Sequence, residues 1–282
     1  MSAHKMFINL LYLLFFKVQG GLMVHGDPHQ NIQVLKPSSS SSHIGHGHDT
    51  SLFIRFDEIH VGKIIKTKFD LGDPSSSKST HHLLPKEVAD SIPFSSSDLP
   101  NILSLFSIPQ GSRKAIVMEE TLSTCQHGVL LEGEISTCAT SLESMLDFVS
   151  GVFGSRDSLR VLTNTRKPTS RGTSDEDEYV IVKVEEIPVG KMIGCHVMRY
   201  PYTVYGCHHL SNTKTKVFRV SVEGSKGEDE VLEVPVACQM NTCGWDPNHE
   251  AFQTLNFKPC TAPVCHMFPE GDLAWIQPSK PI

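Results

Sequence analysis

Four cysteine-led dipeptides constrain this chain more than any other feature: Cys195-His196, Cys207-His208, Cys238-Gln239 and Cys265-His266, separated by 10, 29 and 25 residues. A cysteine followed by a histidine is an uncommon pair, and its near-regular return sets the chain apart from composition alone. In an extended strand consecutive side chains point to opposite faces. Each dipeptide therefore sends its thiol to one side and its neighbour to the other, and tethering the cysteines gathers the histidines on the opposite face. Cys195 and Cys207 are symmetric about Pro201, so a hairpin through Tyr200-Pro201-Tyr202 brings the first two dipeptides together. Imidazole clusters suit copper and zinc.

What the cysteines do depends on the compartment, which the N-terminus indicates. Met1 to Lys5 is a short, weakly basic start. Residues 7–16 (FINLLYLLFF) form an apolar run broken only by Asn9, and Val18-Gln19-Gly20 offers a cleavage site. This is the grammar of a signal peptide over residues 1–20. The run falls short of the roughly 20 apolar residues that span a bilayer. No second run follows, so no transmembrane segment is expected. An oxidising secretory lumen favours disulfides among the eight cysteines. The net charge of −6 argues against nucleic acid, whose binding takes a basic face.

Residues 21–50 are rich in Gly, Ser, His and Pro and read as a disordered leader. Their cluster His43, His46 and His48 would hold a metal only loosely. Residues 52–71 alternate apolar and polar side chains on either side of Val61-Gly62-Lys63, which predicts two strands joined by a glycine turn. Residues 83–155 read as helical. Pro85 opens one helix, and Leu99, Ile102, Leu103 and Phe106 mark a second. Ala115 to Leu122 mark a third. A fourth starts at Thr140 with Glu143 as its capping box, followed by Leu142, Met145, Leu146, Val149 and Phe153 at helical spacing. From Arg160 onward β-branched and aromatic runs predict strands; the acidic run Asp175 to Glu178 is expected in a solvated loop. The fold class expected is α+β: a helical part over 83–155, then a largely antiparallel, disulfide-stapled β part over 160–277.

The dipeptide spacing resembles the signature of the BURP domain, a family of secreted plant proteins. Further stretches carry the likeness across roughly residues 52–277: Ala89 to Phe94, Cys138 to Met145, Tyr200-Pro201-Tyr202, Trp245 to His249 and Pro263 to His266. One position departs: Gln239 stands where the family has histidine. The resemblance implies copper, because some members are copper-dependent peptide cyclases that join a Tyr or Trp side chain to a core peptide. The implied ligands are His196, His208 and His266, with His249 matching a further family histidine. Gln239 offers only an amide oxygen, a poor copper donor. Cyclases that carry their own substrate need a Tyr or Trp in the N-terminal segment, and residues 21–80 contain neither. The cyclase reading therefore requires a separate peptide acted on in trans. The short leader resembles the seed and embryo branch, which implies a non-enzymatic role in development, the cell wall or the vacuole. Cell-wall polysaccharide or wall enzymes are then the implied partners.

Against the family pattern Cys243 and Cys260 are extra, and bonding to each other is one expectation. A four-thiolate zinc site from Cys238, Cys243, Cys260 and Cys265 is another. Cys125 and Cys138 are expected to close a short loop, worth about 3 kcal/mol in the loop-entropy account. The dipeptides also have a purely structural reading, as disulfides plus hydrogen-bonded histidines. No nucleophile elbow, P-loop or dinucleotide fingerprint is present. Trp245 and Trp275 read as core anchors.

Overall fold

The structure is a computed structural model that describes residues 50–69, 83–128, 131–156, 159–165, 177–224 and 231–279. The expected signal peptide, the leader short of Thr50 and the His43, His46, His48 cluster lie outside these residues. Two antiparallel sheets dominate. The first takes β1 (Phe53–Arg55), β2 (Ile64–Thr67), β5 (Asp177–Ile187), β8 (Thr215–Gly224), β9 (Val231–Gln239) and β10 (Val264–Met267), in the order β1-β10-β9-β8-β5-β2. The second takes β3 (Glu134–Ala139), β4 (Arg160–Thr163), β6 (Val189–Met198), β7 (Val204–Leu210) and β11 (Leu273–Pro278), in the order β3-β7-β6-β11-β4.

Alternation decides what each sheet faces. In the six-stranded sheet the row Phe53, His266, Ala237, Val217 and Ile187 shares one face. Val217 and Ala237 pack there with Met192 and Ile276 of the other sheet, so this face lies between the sheets. The opposite face carries Ile54, Ile65, Ile181, Val220, Val234 and Cys238 into a second core. That sheet curls until its edges approach: Ser51 Oγ and Thr67 Oγ1 are 2.8 Å apart.

The helices are α1 (Lys86–Asp90), α2 (Leu99–Leu105), α3 (Arg113–His127), α4 (Leu142–Phe153) and α5 (Glu250–Leu255). α4 lays Met145, Val149 and Phe153 on the outer face of the five-stranded sheet, against Ile193, Cys195 and Cys207. Its N-cap is Ser141, and the box is closed by Ser144, one residue later than expected from Thr140 and Glu143. Leu142 sits on the wet side, 49% exposed. α2 and α3 share Ile102, Leu103, Met118 and Leu122 with Tyr200 at the tip of the β6–β7 hairpin.

The α+β class holds, but the order of helices first and sheet after does not. β1 and β2 precede every described α-helix, as the reading of residues 52–71 has it, but β3 interrupts the stretch read as helical and α5 lies within the β part. The reason is non-local: β1 and β3 are short edge strands that complete ladders whose other members lie far along the chain. β1 and β2 flank the Gly62 turn as expected, yet each pairs elsewhere, with β10 and β5. Asp177 and Glu178 belong to β5, and Lys66 meets Glu178 at 2.7 Å, so half of the acidic run is strand. No helix among the described residues is long and apolar enough to cross a membrane.

Candidate metal centre between the sheets

The four dipeptides fall on β6, β7, β9 and β10, and in each sheet the cysteines are direct cross-strand partners. Cys195 faces Cys207 and Cys238 faces Cys265, and both pairs are disulfides. The Tyr200-Pro201-Tyr202 hairpin forms as expected. The remaining cysteines bond as Cys125–Cys138 and Cys243–Cys260, and no described cysteine is free. The four-thiolate zinc site is thereby corrected: its four sulfurs are spent in two separate disulfides.

With the disulfides turned outward, the next residue on each strand turns inward. His196 and His208 lie diagonally across one ladder, opposite Gly206 and Gly194. Their Nε2 atoms are 3.3 Å apart. His266 enters from the other sheet, its ring centroid 5.2 Å from that of His196. Phe268 stacks on His196 at 5.3 Å, and Phe53 leans on His266 at 5.3 Å. His196 is 3% exposed, and the His208 side chain 31%.

Each imidazole of the pair has a carboxylate behind it. Asp272 Oδ2 lies 2.6 Å from His196 Nδ1, while its Oδ1 accepts the Val197 N–H at 2.9 Å. Glu134 Oε1 lies 3.2 Å from His208 Nδ1, while its Oε2 accepts the Leu131 N–H at 2.9 Å. Burial pushes the Asp272 carboxyl up to about 8. Burial also acts to raise Glu134, but the hydrogen bond and charge of His208 and the Leu131 N–H outweigh it and hold that carboxyl below its usual range. Burial drives the His266 imidazole down to about 3, with the neighbouring His208 and His249 acting in the same direction. His266 is therefore a neutral base in this setting, the form that ligates metal.

His249 and Gln239 are placed differently. The Nδ1 of His249 accepts the Ala251 N–H at 3.1 Å and caps α5. That bond fills the Nδ1 lone pair, so a ligand role for His249 requires giving up the cap. Its ring lies 4.8 Å from Trp245 and 6.1 Å from Phe53. Gln239 shares the inward face with His266 by register, but its Oε1 accepts the Thr215 hydroxyl at 2.8 Å.

The residues fit a metal with nitrogen ligands. A tetrahedron with metal–nitrogen bonds of about 2.0–2.1 Å has an edge of about 3.3–3.4 Å, the separation of the two Nε2 atoms. The space beside them is kept by a missing side chain, since a Cβ on Gly194 would stand 3.2 Å from His208 Nε2 and 3.3 Å from His196 Nε2. Among the described residues no three His, Cys, Asp or Glu side chains already converge as a complete ligand set. The centre is thus a two-nitrogen clamp with His266 in ring contact. Sequence reasoning found the three histidines and missed Glu134, Asp272 and Gly194. Gly194 had a faint signal, as the residue before Cys195; the carboxylates had none.

Comparison with known proteins identifies the family. The BURP domain family model matches residues 52–277. The rice BURP domain-containing protein 13 (Oryza sativa subsp. japonica) is 34% identical over 245 residues, 86% of this chain and 57% of that protein. Protein RAFTIN 1B of wheat (Triticum aestivum) is 34% identical over 84% of this chain and 62% of its own length. The chain thus spans a little over half the length of these two relatives. BURP domain protein USPL1 of Arabidopsis thaliana is 33% identical over 98% of this chain and 99% of its own length. With a family match over most of its length and relatives at this identity, the chain belongs to the BURP domain family.

Proposed function

We propose that the domain is a secreted, non-enzymatic plant protein that holds a copper ion between its sheets, acting in seed or embryo development, the cell wall or the vacuole. The observation that carries the copper reading is the His196–His208 pair, Nε2 to Nε2 at 3.3 Å with a carboxylate on each Nδ1. His196, His208 and His266 would hold the ion, and bound copper supplies one-electron chemistry. Burial supports holding over catalysis. His196 is 3% exposed with Phe268 stacked on it, and Phe53 leans on His266. Wall polysaccharide or wall enzymes are the partner classes in this reading.

A second reading is a copper-dependent cyclase acting on a separate Tyr- or Trp-bearing peptide. It is favoured by the 31% exposure of the His208 side chain, which leaves one ligand approachable from solvent. Copper titration of the oxidised chain, with electron paramagnetic resonance of the bound ion, tests the shared premise. One tightly held copper with nitrogen ligands, lost on His196→Ala or His266→Ala, is expected. Failure to bind copper specifically would return the dipeptides to a purely structural role. Incubating the copper-loaded chain with Tyr- or Trp-bearing peptides then separates the two readings, since a mass loss from crosslinking belongs only to the cyclase.

A further inference from the structure

We infer that Glu134 and Asp272 are positioning residues of the histidine centre, each fixing the Nδ1 edge of one imidazole so that both Nε2 lone pairs face the space over Gly194. The inference deepens the copper reading and rests on it. An imidazole can present either nitrogen, and rotation of the ring decides which. A carboxylate on Nδ1 removes that freedom: it collects the Nδ1–H and leaves Nε2 as the ligand atom, the arrangement that orients histidines in metal sites.

The two carboxylates are built alike from unrelated parts of the chain. Glu134 opens the edge strand β3, which Cys125–Cys138 staples to α3. Asp272 lies in the turn before β11, which is pinned by Tyr205 Oη donating to Gly271 O at 2.9 Å and Thr163 Oγ1 donating to Asp272 O at 3.1 Å. Each carboxylate side chain is 5% exposed and faces a histidine. Each also has its second oxygen held by a backbone N–H.

The backbone N–H groups make the test specific. In Asp272→Asn the Val197 N–H keeps an oxygen at its end, so the amide NH2 faces His196 Nδ1 and donates to it. The ring proton moves to Nε2 and the ligand lone pair is lost, the same wrong-tautomer effect known from an Asp→Asn change behind a catalytic histidine. Glu134→Gln does the same to His208 through the Leu131 N–H. Each variant, made in the full oxidised chain and checked for four disulfides, is titrated with copper(II) against a chelator. Affinity is expected to fall about 10- to 100-fold, and the nitrogen hyperfine pattern to show one nitrogen fewer than wild type. The exposed control Glu143→Gln leaves both unchanged. A merely structural role would lower stability without removing a nitrogen. If wild type binds copper through its histidines while a folded amide variant binds within threefold and keeps its nitrogen count, the inference falls and the copper reading stands. Absence of specific copper in wild type overturns both. Should Asp272→Asn not fold, Glu134→Gln decides alone.

Discussion

The two sheets contain the same device built twice, and only one copy is complete. In the β6–β7 ladder a cross-strand disulfide turns two imidazoles inward, and glycine stands opposite each: Gly206 across from His196 and Gly194 across from His208. In the β9–β10 ladder an equivalent disulfide turns one imidazole and one amide inward, with Ala237 across from His266 and Val264 across from Gln239. The disulfides set which way the neighbouring side chains point. What those side chains can do is then decided by the residue itself and by the space its cross-strand partner leaves. Gln239, facing a valine and bonded to Thr215, is built into the scaffold; His208, facing a glycine, is free to face His196.

The largest effects come from removing the device itself. Replacing Cys195 and Cys207, or Cys238 and Cys265, by alanine is expected to destabilise the protein by about 2–5 kcal/mol in each case. The loops closed span 12 and 27 residues. Loop entropy alone therefore makes the second pair more stabilising by about 0.7 kcal/mol. Chemical unfolding of the two double variants measures both numbers. A β6–β7 variant that loses copper while its β9–β10 counterpart keeps it would show that the complete ladder holds the ion; equal retention in both would break the comparison.

Next comes proton linkage in the metal-free protein. His266 is held neutral down to about 3 by burial, whereas an unfolded histidine protonates near 6.5. Below about 6.5 the unfolded chain takes up a proton that the folded chain refuses, so stability is complete above that pH and is lost as pH falls toward 3. Asp272 acts in the opposite sense. Its folded value near 8 lies above the usual carboxylate range, so the folded state holds an extra proton between about 4 and 8, and stability falls as pH rises through that window. The readout is therefore the difference between wild type and His266→Gln, which makes the second ladder non-titrating. That difference is expected to change by about 1.4 kcal/mol per pH unit below 6.5. A pH-independent difference would mean that His266 is solvated.

These ladders also show what a sequence exposes. The alternation of Cys and His, with Pro201 midway between two copies, made the hairpin, the inward histidines and one disulfide face legible before any coordinates. The helical spacing of Met145, Val149 and Phe153 made α4 legible for the same reason: both are local periodicities. Glu134 was hidden because β3 is a strand only by virtue of pairing with β7, about 70 residues downstream. Asp272 was hidden because its partner His196 lies 76 residues away. Ser144 displaced Glu143 from the capping box because cap geometry turns on a single residue of register.

Steric room gives a smaller and more local test. Gly194→Ala puts a methyl group 3.2–3.3 Å from both Nε2 atoms and 3.4 Å from Phe268. Crowding of this kind costs about 1–3 kcal/mol, and copper affinity is expected to fall with it. The corresponding position of the other ladder, Val264, already carries a branched side chain, so Val264→Ala is expected to leave copper binding unchanged. Equal effects from the two substitutions would mean that Gly194 is needed by the strand and not by the centre.

The smallest expected effect tests whether the incomplete ladder can be completed. Gln239→His restores an imidazole on the inward face beside His266, and copper affinity should rise about tenfold, or about 1.4 kcal/mol. Two features of the ladder oppose a larger gain. Thr215 loses the acceptor to which it now donates, a change of about 1 kcal/mol in stability. Val264 lies across the ladder where the complete copy has glycine, and it restricts how far a ring at 239 can turn inward. Pairing the substitution with Val264→Gly separates the two. If affinity rises further only in the double variant, the cross-strand partner limits the site. If neither variant changes affinity, the ladder carrying Gln239 contributes only His266, and the two sheets differ in function as well as in sequence.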